Sequence, residues 1–134
     1  MLSPFPILLS FGIIAPFLIR ILLGILYVRY GWFKIKKGRD VKAAFFEKIG
    51  LRPGAAFALA FGTVEIIGGI MLIAGFYTQI AALILSIIIL GAVITKFRKP
   101  SALPADMDFY LLLLVATVSL LFSGAGAFAF DLPL

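Results

Sequence analysis

Residues 53–95 read PGAAFALAFGTVEIIGGIMLIAGFYTQIAALILSIIILGAVIT, and Glu65 is the one charged side chain in the stretch. A helix needs about 20 mainly apolar residues to cross the hydrocarbon of a bilayer, so the run is long enough for two passes. Gly75-Phe76-Tyr77-Thr78-Gln79 supplies a tight turn between them, with aromatics suited to interface depth. The expected spans are therefore 54–75 and 79–96. No aqueous core of this size would hide them.

The composition of the whole chain agrees. Its 134 residues are 63% hydrophobic and 13% charged, with a mean hydropathy of +1.20. Soluble domains run at roughly 45–50% apolar and 25% charged. A short chain leaves much of its surface exposed, so the excess calls for lipid as the solvent. The length admits four passes, short loops and no soluble catalytic module.

Upstream, the chain is apolar from about Phe5 to Phe33, more than one span requires. Pro16 removes a helix hydrogen bond, which predicts a break or kink near Ala15. The first span is then 17–34, and Phe5–Ala15 forms a preceding turn of interfacial or kinked helix. A cleaved signal peptide would need a basic start and a small-residue cleavage site, and neither is legible. Residues 39–49 place Val41, Ala44, Phe45 and Ile49 on one apolar helical face, as in a short helix lying on the membrane surface. Gly50 and Pro53 end it. A loop from Phe97 to Met107 leads to the last span, 108–128, which is short unless it continues through Gly124–Phe130. Asp108 suits the N-cap or first turn of that helix, and Asp106 belongs to the loop. The expected fold is all-α: an integral membrane four-helix bundle in a single transmembrane domain, 1–134, with an amphipathic cytoplasmic helix between the first two spans.

Charge position sets the expected orientation. The net charge is +6, and beyond Arg20 and Arg29 the cations fall in two clusters. Lys34, Lys36, Lys37, Arg39, Lys42, Lys48 and Arg52 follow the first span; Lys96, Arg98 and Lys99 follow the third. The turn after the second span has none. The positive-inside rule puts both basic loops in the cytoplasm and both termini outside. Loop cations of this kind point to a multi-pass protein of the cell membrane, to lipid and to a protein partner, not to nucleic acid. With no cysteine and no histidine, thiol redox chemistry, iron–sulfur clusters and His-ligated metals are excluded for this chain alone. No cofactor is intrinsic, no metal site is expected, and no nucleophile–base pair or phosphate-binding loop is present.

Glu65 lies near the middle of its span, where an ionisable group is costly and marks a site or a polar contact between helices. At about 100° per residue, Arg20, Gly24, Tyr27, Gly31 and Lys34 share one stripe of the first helix. Gly62 and Gly69 flank Glu65 on its own helix. Small residues let helices approach closely, so the two glycine faces should meet. Glu65 would then be compensated by Arg20, with Tyr27 as a hydrogen-bond donor. Arg29 points the other way, near enough to the basic edge to snorkel. With Tyr30 and Trp32 it reads as an interfacial anchor. Gln79, Ser86, Thr95, Thr117 and Ser119 read as helix-packing groups.

These features together resemble the DoxX family of small four-span membrane proteins. The resemblance is carried by Arg20-x-x-x-Gly24, Gly31-x-x-Lys34, Phe45-Phe46-x-x-Ile49-Gly50-Leu51-x-Pro53, Val64-Glu65-x-x-Gly68-Gly69, Gly75-Phe76-Tyr77-Thr78-x-x-Ala81-Ala82, Gly124-x-Gly126 and Asp131. The family places a small residue or histidine where Arg29 stands, so no histidine-dependent role carries over. The resemblance implies at most a non-autonomous membrane subunit of an oxidoreductase, because relatives are linked to thiosulfate:quinone oxidoreductases and membrane-tethered oxidative-stress complexes. Electrons would enter through a quinone or a cytoplasmic redox partner. Two other readings stand beside it: a ligand-free scaffold or assembly factor, and a small transporter, which would need a homo-oligomer to form a path.

Overall fold

The computed structural model describes residues 4–36, 38–103 and 105–131; Lys37 of the first basic loop lies outside them. The described residues are helical, with no strand among them. Helices α1 (Ile14–Ile35), α3 (Gly54–Ala74) and α4 (Thr78–Arg98) are each long and apolar enough to cross a bilayer. Between α1 and α3 lies the shorter α2 (Arg39–Lys48), and α5 (Met107–Ser123) closes the bundle. Only 33%, 33% and 28% of the most apolar windows of α1, α3 and α4 are buried inside the protein. The remaining outward surface, with residues such as Leu22, Ile70, Ile87 and Leu112, is apolar and contacts lipid. The protein is a membrane-spanning helical bundle.

The predicted break near Ala15 falls slightly earlier, at Gly12–Ile13, between a 3-10 turn and α1. α1 starts at Ile14 and takes Pro16 into its first turn, where a proline's missing N–H has no helical partner to lose. The preceding turn, Pro6–Phe11, is a separate and fully exposed 3-10 helix.

α1 packs chiefly on α3, α3 on α4 and α4 on α5, and a thinner α1–α5 contact closes the ring. α1 and α3 run antiparallel with their glycines face to face. A Cβ on Gly24 would stand 2.7 Å from the Gly69 carbonyl oxygen, and one on Gly31 would stand 2.5 Å from that of Gly62. Between the helices lies a layer of Leu23, Leu72, Leu85 and Leu120, none more than 3% exposed.

α2 caps the basic end of α3, with Phe46 stacked on Phe61 at 5.3 Å between ring centroids. Its buried face is rotated from the expected one. Phe46 is buried while Val41 is 69% exposed, because the close seating of Gly54 under Ala43 turns the Phe46 side toward α3.

α5 stops at Ser123, short of the expected residue 128, because Gly124 and Gly126 take positive φ values of 73° and 72°. The chain then turns back as a strap across the bundle end opposite the basic loops. Ala127 N–H donates to Ile13 O at 3.0 Å, and Asp131 N–H donates to Gly75 O at 2.7 Å.

Candidate functional site

The register of α1 on α3 decides where the polar stripe goes. With Gly24 beside Gly69 and Gly31 beside Gly62, Glu65 lies level with Val28. Arg20 is then about 12 Å and Lys34 about 9 Å away along the axis, on opposite sides. Side chains lean toward the N-terminus of their own helix. Arg20 therefore leans away from Glu65, while Lys34 and Glu65 lean toward each other. Lys34 Nζ donates to Glu65 Oε1 in a part-buried ion pair. The expected Arg20–Glu65 pairing is thus corrected to Lys34–Glu65.

Arg20 instead works at the other end of the bundle and is fully buried. Its Nη1 donates to the carbonyls of Leu72 (3.1 Å) and Ile73 (3.0 Å), and its Nη2 to those of Ala127 (2.8 Å) and Phe128 (3.1 Å). One guanidinium so caps carbonyls at the C-terminus of α3 and ties the strap beneath them. Beside it, Asp131 accepts from the N–H groups of Tyr77 (2.8 Å) and Thr78 (2.5 Å) at the start of α4. Burial pushes the Asp131 carboxyl upward, but the Thr78 and Tyr77 donors and the Arg20 charge together hold it below the usual carboxylate range. This end is architectural.

Tyr27 also takes a partner other than the one expected. Its hydroxyl lies 2.8 Å from Thr117 Oγ1. Thr117 donates its own proton to Leu113 O at 2.7 Å, so Tyr27 is the donor to Thr117. The bond bridges the thin α1–α5 contact. Of the four residues expected to cluster, three remain together: Tyr27, Lys34 and Glu65 line one cavity of about 750 Å³ at the basic end.

All five helices contribute residues to that cavity's lining. Aromatic side chains form much of its wall, among them Phe45, Phe46, Phe61, Phe109 and Tyr110. Tyr30 meets Phe109 edge to face at 6.0 Å. Arg29, Tyr30 and Trp32, expected to serve as anchors, are exposed at the edge and also line the cavity. Glu65 Oε2 is buried and has no hydrogen-bond partner among the described residues. The site therefore offers an aromatic-walled apolar space with the paired Lys34 ammonium and one free carboxylate oxygen of Glu65 at its inner side, and with Lys42 and Arg29 also in its lining.

Lys42 is the lining residue that sequence reasoning missed, having been counted with the loop cations. It was legible: Lys42, Phe45, Phe46 and Ile49 are spaced i, i+3, i+4 and i+7, and all four line the cavity. Burial pushes the Lys42 ammonium down from its ordinary value, the neighbouring Lys34 charge adds to this, and Glu65 opposes it. Thr117, expected as a helix-packing group, packs as one against Tyr27, but neither its partner nor the place of Tyr110 was legible, because nothing in α5 marks which face meets α1.

Comparison with known proteins places this architecture among relatives. The DoxX family profile matches residues 15–98, which include α1 to α4 and every polar residue of the cavity named above except Tyr110. The chain is 31% identical to a Bacillus subtilis (strain 168) protein named "Putative oxidoreductase CatD", with 88% of this chain and 85% of that one covered. It is 30% identical to a Mycobacterium tuberculosis (strain ATCC 25618 / H37Rv) protein named "Uncharacterized membrane protein Rv3486", over 84% of this chain and 77% of that one. No solved structure matches the chain.

Proposed function

The chain belongs to the DoxX family, and on that premise we propose that it is a membrane subunit of a redox complex whose quinone sits in the Lys34–Glu65 cavity. The observation that carries the reading is the buried Glu65 Oε2 without a partner, set beside an ammonium in an aromatic-walled space. Ligand sites are typically such apolar concavities with few polar groups, and an unpartnered carboxylate oxygen in a membrane span is costly unless it serves one. A bound quinone would supply the electron-carrying chemistry that the side chains lack. The flat walls of Phe45, Phe61 and Phe109 hold a ring. Lys34 Nζ donates toward a carbonyl oxygen, and Glu65 Oε2 holds or releases a proton beside it. The name of the Bacillus relative supports the oxidoreductase class.

The basic end is then the cytoplasmic face, by the distribution of loop cations, and α2 presents Arg39 and Lys48 there to an acidic face of a soluble redox partner. A transporter reading has less support. The leucine layer between the two polar ends leaves one copy no polar path among the described residues.

The full-length protein in nanodiscs tests the proposal, because Trp32 is the only tryptophan of the chain and lines the cavity. A short-tailed quinone should quench Trp32 saturably. Glu65→Gln should weaken that binding about tenfold, the ~1.5 kcal/mol of one hydrogen bond to a charged group, with the fold retained. Unchanged quenching in Glu65→Gln, together with no quinone extracted from the native membrane protein, would remove the redox reading. The scaffold reading would then stand, supported by the glycine seam.

A further inference from the structure

The Lys34–Glu65 pair leaves the cavity with positive charge unspent. Glu65 is the only acid lining it among the described residues, and it is already taken by Lys34. Arg29 and Lys42 line the same space, and neither has a carboxylate within ion-pairing distance among those residues. Lys42 is half-buried, with Nζ 5.6 Å from the centroid of the Phe45 ring. Holding a partly desolvated cation there beside Lys34 is unfavourable unless an anion arrives to compensate it.

The opposite wall suits an alkyl chain. Ile87, Ile88 and Gly91 of α4 line the cavity, and Ile87 is 63% exposed on the lipid-facing side. A Cβ built on Gly91 meets no atom within 4 Å, so the helix leaves open space there. The cavity thus joins two uncompensated cations, at the level where basic loops begin, to an apolar side opening. Basic recesses between membrane helices on the cytoplasmic side have the chemistry that captures anionic lipid heads.

We propose that this cavity binds an anionic phospholipid, its phosphodiester drawn by Lys42 and Arg29 and one acyl chain passing Gly91 along Ile87 and Ile88. The inference uses Arg29 and Lys42, whereas the quinone reading uses Lys34 and Glu65, so each can fail without the other.

Vesicles of phosphatidylcholine carrying the full-length protein provide the test. Into them is titrated either tail-brominated phosphatidylglycerol or tail-brominated phosphatidylcholine, and contact quenching of Trp32 is read. At about fivefold per cation, from ~1 kcal/mol each, the anionic lipid should quench at about a twenty-fivefold lower mole fraction. Lys42→Gln alone should lose about fivefold of that preference, and the pair R29Q/K42Q should lose it altogether. R52Q/R98Q removes the same charge from exposed positions outside the cavity lining and should keep it. Equal quenching by the two lipids, or equal loss in both double variants, overturns the proposal. Displacement of the brominated anionic lipid by inorganic phosphate alone also overturns it, since the site would then recognise a free anion.

Discussion

Arg20 shows how much one side chain can organise. Its guanidinium reaches four carbonyl oxygens on two separate segments, the end of α3 and the strap after α5. Only a planar fork with several fixed donors serves such a set. Arg20→Met should therefore cost roughly 3–5 kcal/mol, since buried carbonyls lose charged donors without gaining others. Arg20→Lys should recover only part, because one ammonium cannot span both pairs. Unfolding in mixed micelles would measure both, and limited proteolysis should cut the strap near Ala127 in Arg20→Met first. A loss below about 0.5 kcal/mol, within the range of ordinary surface substitutions, would contradict the clamp assigned here.

At the scale of elements, the α1–α3 seam is set by glycine. Atoms of the facing backbone occupy the space a side chain would need at Gly24, Gly31 and Gly69, so even a methyl group must push the helices apart. Gly24→Ala or Gly31→Ala should destabilise the protein by about 1–3 kcal/mol, as overpacking typically does. Gly91→Ala, where nothing stands in the way, should be neutral or slightly stabilising, since alanine favours a helix by up to ~1 kcal/mol over glycine. Thermal denaturation of the three variants in one detergent provides the comparison. If Gly24→Ala matched Gly91→Ala, close approach would not be what joins these helices. The α5 element depends on its neighbours in another way. Its 17 residues span about 25 Å, less than the ~30 Å of hydrocarbon, and the strap after Ser123 covers the end it leaves.

For the whole molecule, orientation is the property that loop charge predicts most directly. The absence of cysteine makes any introduced thiol unique. Ser10→Cys, exposed in the N-terminal 3-10 helix, and Ser101→Cys, exposed in the α4–α5 loop, sit at opposite ends of the bundle. A membrane-impermeant maleimide should label Ser10→Cys in intact cells and Ser101→Cys only after permeabilisation. The reverse pattern would invert the protein and move the proposed cytoplasmic docking face to the outside.

What the amino-acid order determined alone was the solvent, the existence of the helices and which residues share a face. These depend on local quantities: the length of apolar runs, the placement of Gly and Pro, and a period of about 3.6 residues. The glycine seam was legible for the same reason, since each half lies on one helix. Pairing was not. Arg20, Tyr27 and Lys34 lie on one stripe, and only the axial register of α1 on α3, with the lean of each side chain along its helix, sends Arg20 to the strap, Lys34 to Glu65 and Tyr27 to Thr117. The shared face of Lys42, Phe45, Phe46 and Ile49 was legible, but that it turns into the cavity depends on how α2 seats on α3. The buried acid could be found in the sequence, but its partner and the cavity around it were decided by packing between helices distant along the chain.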